Sequence, residues 1–181
     1  KEKHDEVKSN FKEFSKIYNQ KYKEFENLQK QIDNCFKALG VTDSSQKGEF
    51  NEIGEDDLTP GRLRRYEEKI SQLSSEVDSR LIQFNSYKKK ILSMNYDLQE
   101  DLPQEINDIF DKQVYSDKVL EELKEYVICL KNLLNTRSQY VSEMAVEINR
   151  LWDLLGVDEP TRREFLASHN TLSQRNVQDC I

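Results

Sequence analysis

The residues of this chain that could perform chemistry are few and lie far apart in the sequence. The two histidines, His4 and His169, have no cysteine or carboxylate at metal-ligand spacing on a shared helix face. Acidic residues are abundant, but they fall on the outer faces of the predicted helices and form a solvated surface rather than an acid–base pair. The sequence has no glycine-rich phosphate loop, nucleophile elbow or kinase motif. It therefore predicts no enzyme, no cofactor and no metal site.

The three cysteines do not indicate catalysis either. Their odd number argues against a disulfide framework and favours a reducing compartment. Cys35 falls on an apolar row of a predicted helix, so a packed thiol is favoured over a reactive one. Cys129 and Cys180 have no histidine beside them in the sequence. None of the three is interpreted as a catalytic residue.

The composition indicates a long helical protein with an acidic surface. The 181 residues are 34% charged and 36% hydrophobic, and only five glycines and three prolines are available for turns. The net charge of -7 argues against a nucleic-acid or anionic-membrane partner, because both need a basic surface. No apolar run approaches the length of a membrane span, and no signal peptide is visible. Because the chain begins at Lys1 without methionine, it is interpreted as a fragment.

Apolar residues recur in steps of three and four over three long segments, which predicts helices at about 3–39, 60–98 and 116–155. Short connections favour antiparallel neighbours. The predicted fold is therefore all-α: an elongated antiparallel three-long-helix bundle, a spectrin-like rod, with short helices at the C-terminal end. The rod unit covers 1–156, and 157–181 is the truncated start of the next helical unit.

One cation interrupts the apolar rows of each long helix, namely Lys21, Arg80 and Arg137. If the helices are antiparallel with Leu39 level with Leu63, the three cations fall in one mid-rod basic layer. They would then snorkel outward, because buried cations without partners are costly. Changing Arg80 and Arg137 to leucine would stabilise such a rod non-additively. The alternative is that the heptad frame drifts there and the alignment is coincidental.

The polar, acidic segment 41–59 is predicted to be a loop that ends at Thr59-Pro60. This pair suits a helix N-terminus, with Thr59 as the cap and proline at the first helical position. Thr59-Pro60-Gly61-Arg62 also has the form that proline-directed cell-cycle kinases prefer, so Thr59 is a candidate phosphorylation site. A phosphate there would face the positive end of the helix dipole and nearby arginines.

The lone tryptophan, Trp152, lies at the end of the third predicted helix. The favoured interpretation is a core anchor under the next short helix, and the alternative is a hot spot for a partner. The surrounding segment 148–159 echoes 32–43, which lies 116 residues earlier, because both contain Ile, an aromatic residue, Leu-Gly-Val and a following acid. We interpret this junction as a feature that recurs along a longer rod.

The second junction carries a Leu-Trp-Asp-x-Leu stretch, then an aliphatic residue, an acidic turn and Arg-Glu. The residues of this pattern are Leu151, Trp152, Asp153, Leu155, Val157, Asp158, Glu159, Arg163 and Glu164. It resembles the rod of the antiparallel microtubule crosslinkers, a family that includes anaphase spindle elongation factors, protein regulator of cytokinesis and plant microtubule-associated crosslinkers. Pro160 and Thr161 depart from the pattern, where acidic residues are usual. The predicted structural junction consists of Leu151, Trp152, Leu155, Gly156 and Phe165.

The resemblance implies a structural, non-catalytic role in the cytoplasm, on the cytoskeleton of the spindle midzone. Members of the family are homodimers that crosslink antiparallel microtubules in cytokinesis. Their dimerisation region, filament-binding spectrin-like domain and basic tail lie outside the rod. The segment is then the rod that spaces the filaments, with microtubules bound by other parts of the protein and with kinesins or other midzone proteins as docking partners.

Two other functions fit a chain of long helices. One is a spectrin-type repeat or tether of an actin or other cytoskeletal scaffold, which needs the same bundle. The other is a membrane-associated helical dimer, which needs a basic concave face that an acidic chain does not offer.

Overall fold

A computed structural model describes residues 2–54 and 57–168, which form five α-helices and one 3₁₀ segment. The helices are α1 (Glu2–Ala38), α2 (Pro60–Leu98), α3 (Gln104–Lys112), α4 (Asp117–Leu155) and α5 (Glu159–Ser168), and the 3₁₀ segment is Ser44–Phe50. Strands are absent from these ranges, so the prediction of an all-helical protein is confirmed. None of the described helices combines the length and the apolar character needed to span a bilayer.

Contacts divide the chain into two compact units. Unit 1 contains residues 1–82 and 114–117, and unit 2 contains residues 83–113 and 118–181. The division falls within α2, whereas the sequence predicted one unit over 1–156 and the start of another over 157–181. The divisions differ because α2 contributes its first half to one core and its second half to the other. Residues 169–181, which include the predicted start of a further helix, lie outside the described residues.

In unit 1, α1 and the first half of α2 run in the same direction. The rings of Phe25 and Tyr66 meet edge to face with centroids 5.3 Å apart. Ten residues further along α1, the Cys35 sulfur lies 3.9 Å from the hydroxyl of Ser74, which is eight residues further along α2. Because contacts advance along both helices together, the two helices are parallel.

The connection between these helices explains their direction. Its apolar residues pack on the core formed by α1 and α2; they are Val41, Phe50, Ile53 and Leu58. Val41 lies just after the end of α1, whereas Phe50 lies at the opposite end of the core, where its ring centroid is 5.1 Å from that of Tyr66. The connection therefore returns the chain along α1 before α2 begins, and α2 can start beside the middle of α1.

Unit 2 repeats this arrangement with the second half of α2 and the first part of α4. Tyr126 lies beside Asn95, and Arg137 forms an ion pair with Glu100, so contacts again advance along both helices. Here α3 is the returning element. Its Phe110 packs edge to face on Phe84, with ring centroids 5.9 Å apart.

The predicted antiparallel bundle is therefore wrong within each unit. The prediction assumed that short connections link neighbouring helices end to end. The segments 39–59 and 99–116 are instead long enough to return along the preceding helix, and they bury apolar side chains while doing so. Burial of this apolar surface stabilises the returning connections, and parallel packing follows from it.

Candidate docking site at the helix junctions

Each long helix ends in the same backbone arrangement. The left-handed residues after α1, α2 and α4 are Gly40 (φ 74°), Gln99 (φ 53°) and Gly156 (φ 67°). In each case the following N–H donates to the carbonyl five residues earlier. These bonds are Val41 N to Phe36 O (2.9 Å), Glu100 N to Asn95 O (3.1 Å) and Val157 N to Trp152 O (2.9 Å). This Schellman arrangement satisfies carbonyls that a helix end would otherwise leave unpaired.

These junctions lie 59 and 57 residues apart, and the same spacing relates the helices before them. Equivalent positions hold Ile32, Ile91 and Ile148; Leu39, Leu98 and Leu155; and Lys21, Arg80 and Arg137. The chain thus contains three copies of one helical repeat of about 58 residues. Sequence reasoning found only the outer two copies. In the middle copy Gln99 stands where the others have glycine and Asn95 where they have an aromatic residue.

The third junction is built around Trp152. Its ring packs edge to face on Phe165 of α5, with centroids 5.7 Å apart. The guanidinium of Arg162 lies 5.5 Å from the centre of the indole and donates to the Asp153 carboxylate (2.8 Å) and the Val157 carbonyl (3.0 Å). These contacts fix α5 against the end of α4.

Asp158 holds the start of α5. Its carboxylate accepts from the backbone N–H of Thr161 at 3.2 Å. Hydrogen bonds from Thr161 lower the pKa of Asp158 from its ordinary value. Asp158, in the acidic turn of the sequence motif, therefore caps the start of α5.

The predicted junction residues divide into two groups. Trp152 and Phe165 are half-buried against each other. Leu151 and Leu155 face solvent, with Leu155 74% exposed. A cavity of about 50 Å³ between α4 and α5 is bordered by Val141, Met144, Ala145, Ile148, Asn149, Trp152, Phe165 and Leu166. This end of α4 therefore presents an apolar, partly open surface that suits the docking of another helix rather than the binding of a small molecule.

Within unit 1, the structure does not place Lys21 and Arg80 in one layer. Because α1 and α2 are parallel, Lys21 lies level with the start of α2, whereas Arg80 lies beside the end of α1. Arg80 donates to the Tyr115 carbonyl (3.2 Å), and the Tyr115 N–H donates to Ala38 of α1 (2.6 Å). The register that placed Leu39 level with Leu63 is wrong, so the alignment behind the basic layer fails.

The three cations instead occupy one equivalent position in each repeat. Arg80 also pairs with Glu76 (2.6 Å) and Asp117 (3.0 Å), while Arg137 pairs with Glu100 in unit 2. Lys21 is exposed on α1. Arg80 therefore joins α2 to the end of the connection that follows it, and Arg137 joins α4 to Glu100 at the start of that connection. Each arginine has an acidic partner.

Thr59 caps α2 as the sequence indicates. Its hydroxyl accepts from the Arg62 N–H at 3.3 Å and donates to the Asp57 carboxylate at 2.7 Å. The hydrogen bond from Thr59 lowers the pKa of Asp57. The Arg62 side chain is buried and donates to backbone carbonyls of the connection and to Tyr66. Thr59 itself is exposed.

Residues capable of metal binding do not converge. In residues 2–54 and 57–168, no three histidine, cysteine or acidic side chains form a metal-binding group. Cys35 is half-buried in the core of unit 1, and Cys129 is exposed. His169 and Cys180 lie outside the described residues.

Comparison with known proteins identifies one family. A sequence model of the protein family described as "Microtubule associated protein (MAP65/ASE1 family)" matches residues 1–180 of the chain. No curated protein and no solved structure matches the chain.

Proposed function

Because this chain belongs to the MAP65/ASE1 family of microtubule-associated proteins, we propose that it is a structural segment that spaces microtubules and takes no part in catalysis. The observation that carries the proposal is the family match over residues 1–180. The architecture supports it, because a repeated parallel-helix unit extends a chain by adding copies and needs no enclosed site. A chain built from such repeats is suited to holding two microtubules apart, because its length is set by the number of copies.

The finer role that we propose is crosslinking of antiparallel microtubules at the spindle midzone in cytokinesis. The protein would act as a homodimer whose dimerisation and filament-binding regions lie outside these residues. Kinesins or other midzone proteins would dock on the segment. The apolar end of α4, with Leu151 and Leu155 exposed, offers a surface for such docking.

The isolated 181-residue chain should bind microtubules weakly or not at all. The microtubule surface is acidic, and a chain with a net charge of -7 gains no electrostatic attraction to it. Co-sedimentation with microtubules at physiological salt tests this, with the full-length parent protein as the positive control. The parent should pellet with microtubules and crosslink them, whereas the 181-residue chain should stay in the supernatant. Tight pelleting of the chain would contradict a spacer role, and failure of the parent to bind would contradict the proposed function.

We also propose that Thr59 is phosphorylated by a proline-directed kinase. Its exposure permits this, but the hydroxyl is also the α2 cap and lies 2.7 Å from the Asp57 carboxylate. A phosphate would meet the positive end of the α2 dipole and the partly exposed Arg65, so we expect α2 to remain helical. Mass spectrometry after treatment with a mitotic cyclin-dependent kinase, followed by a circular-dichroism melt, tests both points. Thr59→Ala is the control. An unmodified Thr59, or a modified chain that loses helicity, would refute the proposal.

A further inference from the structure

The connection between α2 and α4 places side chains where the backbone favours glycine. Gln99 (φ 53°) follows α2 and Gln113 (φ 51°) follows α3, and these two are the non-glycine residues with positive φ in the described part of the chain. The left-handed residues of the preceding connection, 39–59, are both glycines, Gly40 and Gly48. A left-handed backbone costs a residue with a side chain a factor of about 5–30 in an equilibrium constant. The second connection is therefore strained at both ends of α3, and the first is not.

A buried amide lies one turn before Gln99. Asn95 is 6% exposed, and neither its side-chain oxygen nor its side-chain nitrogen has a hydrogen-bond partner among the described residues. The Tyr126 hydroxyl of α4 interacts with this amide, but outside normal hydrogen-bond geometry. Burial of an unsatisfied polar group costs a factor of about 5–150 in an equilibrium constant. The last turn of α2 thus carries a second cost that is independent of the backbone strain.

The equivalent position in the other two copies of the repeat holds an aromatic residue with favourable contacts. Phe36 lies between the ammonium groups of Lys47 and Lys69, each 5.8 Å from its ring centroid. Trp152 packs on Phe165. The costs are therefore concentrated at the middle junction. Because α1 precedes this copy and α4 follows it, both of its neighbours in the repeat are present in the chain.

The apolar contacts that oppose this strain are limited. In α3, a helix of nine residues, Ile106 and Phe110 are the buried side chains. Phe110 packs on Phe84, with ring centroids 5.9 Å apart, and the Lys88 ammonium lies 4.6 Å from the Phe110 ring centroid. The last turn of α2 adds Leu98, which is fully buried. A helix this short does not persist without its packing, so α3 keeps its structure only while these contacts hold.

We propose that the segment 95–113, which we name the α3 segment, is a built-in opening point of the protein: the last turn of α2 frays and α3 undocks while the rest of α2 and α4 stay packed. Opening relaxes the backbone at Gln99 and Gln113 and gives the Asn95 amide access to water. It exposes Ile106 and Phe110, which the docked state buries. The proposal concerns motion within unit 2 and does not depend on binding to microtubules.

Ion pairs at the two ends of the connection keep this opening local. Glu100 pairs with Arg137 of α4 just after the strained Gln99. Beyond α3, the Tyr115 carbonyl accepts a hydrogen bond from Arg80 of α2. The α3 segment can therefore leave the core while the chain on either side of α3 remains tethered to a long helix.

The first experiment measures opening by amide hydrogen exchange, followed by NMR, at two equivalent bonds of the repeat. These are Glu100 N–H to Asn95 O (3.1 Å) and Val41 N–H to Phe36 O (2.9 Å). We expect the protection factor of Glu100 to be at least about tenfold lower than that of Val41, with the amides of α3 following Glu100. The amide of Leu123, whose side chain is fully buried in α4, should remain better protected than both. Equal protection at the two junctions, or exchange of α3 only as slowly as Leu123, would overturn the proposal.

The second experiment removes each cost separately. Asn95→Leu keeps the number of side-chain heavy atoms and eliminates the unsatisfied amide, whereas Gln99→Gly and Gln113→Gly relieve the left-handed backbone. Each variant should raise the protection factors of Glu100 and of α3 by about 5–30-fold and leave that of Val41 unchanged.

Gln72→Gly is the matched control, because Gln72 is an exposed glutamine inside α2 with a helical backbone. It should not raise protection at Glu100. If Gln99→Gly behaves like Gln72→Gly, the strain does not drive opening. If the variants raise the protection of Val41 and Glu100 equally, they change global stability alone. Either result would refute a local opening point.

Discussion

Replacing Gly40 with alanine should lower the free energy of unfolding by about 2–5 kcal/mol. A left-handed backbone costs a non-glycine residue about 1–2 kcal/mol, and Gly40 has φ 74°. A Cβ atom there would also lie 2.9 Å from the Ser116 Cβ and 3.1 Å from Val114 Cγ1, both in the segment that returns to α4. Overpacking of this kind adds about 1–3 kcal/mol. Urea denaturation followed by circular dichroism measures the change.

Gly156→Ala is the matched control for this prediction. Gly156 has the same left-handed conformation (φ 67°) and the same position in the repeat, but no atom of the described residues lies within 4 Å of an added Cβ. Its replacement should cost only the backbone strain, about 1–2 kcal/mol. An equal loss of unfolding free energy in the two variants would show that steric overlap with Val114 and Ser116 does not contribute at Gly40.

Arg80→Leu should destabilise the chain by about 2 kcal/mol, because hydrogen bonds that involve a charged group contribute about 1.5–3 kcal/mol. The Arg80 side chain is 17% exposed and joins α2 to the Asp117 carboxylate and to the Tyr115 carbonyl. The N–H of Tyr115 in turn donates to the Ala38 carbonyl at the end of α1. This outcome is opposite to the stabilisation expected from a shared basic layer. Thermal and urea unfolding of the variant provide the measurement.

Arg137→Leu should also destabilise, and the two effects should add, because Arg80 pairs with Glu76 and Asp117 whereas Arg137 pairs with Glu100. Arg150→Leu is the control. Arg150 is 61% exposed and pairs with Glu147 on its own helix, so its loss should stay within about 0.5 kcal/mol. Stabilisation by both leucine variants, or strong non-additivity between them, would favour the layer after all.

Periodicity predicts which faces of these helices are apolar, but it does not predict which neighbour covers them. Phe25, Ile32 and Leu39 fall on the predicted rows and are buried. Phe11 and Tyr18 fall on the same heptad row, seven residues apart, and are exposed. The difference arises from tertiary pairing: the first half of each long helix needs the end of an earlier one. A heptad row carries no information about that pairing.

Helix direction was missed for a different physical reason. The segment 41–59 is polar on average, and its few apolar residues are spaced without a helical period. Phe50 and Ile53 nevertheless pack on the unit 1 core and bring the chain back along α1. Direction is thus decided by isolated side chains in a connection, where periodicity gives no signal. In the second connection α3 does the same with Ile106 and Phe110.

The sharing of α2 between two cores has a consequence for how the protein unfolds. One uninterrupted helix, Pro60–Leu98, supplies an essential wall to each unit. If either core melts, the half of α2 left without packing must survive on intrinsic helicity alone, although most of the stability of a helix in a protein comes from the packing of its apolar face. Fraying of that half then removes support from the turns that lead into the other core. Local opening is therefore transmitted along the backbone, and neighbouring repeats are expected to lose structure in a cooperative sequence rather than independently.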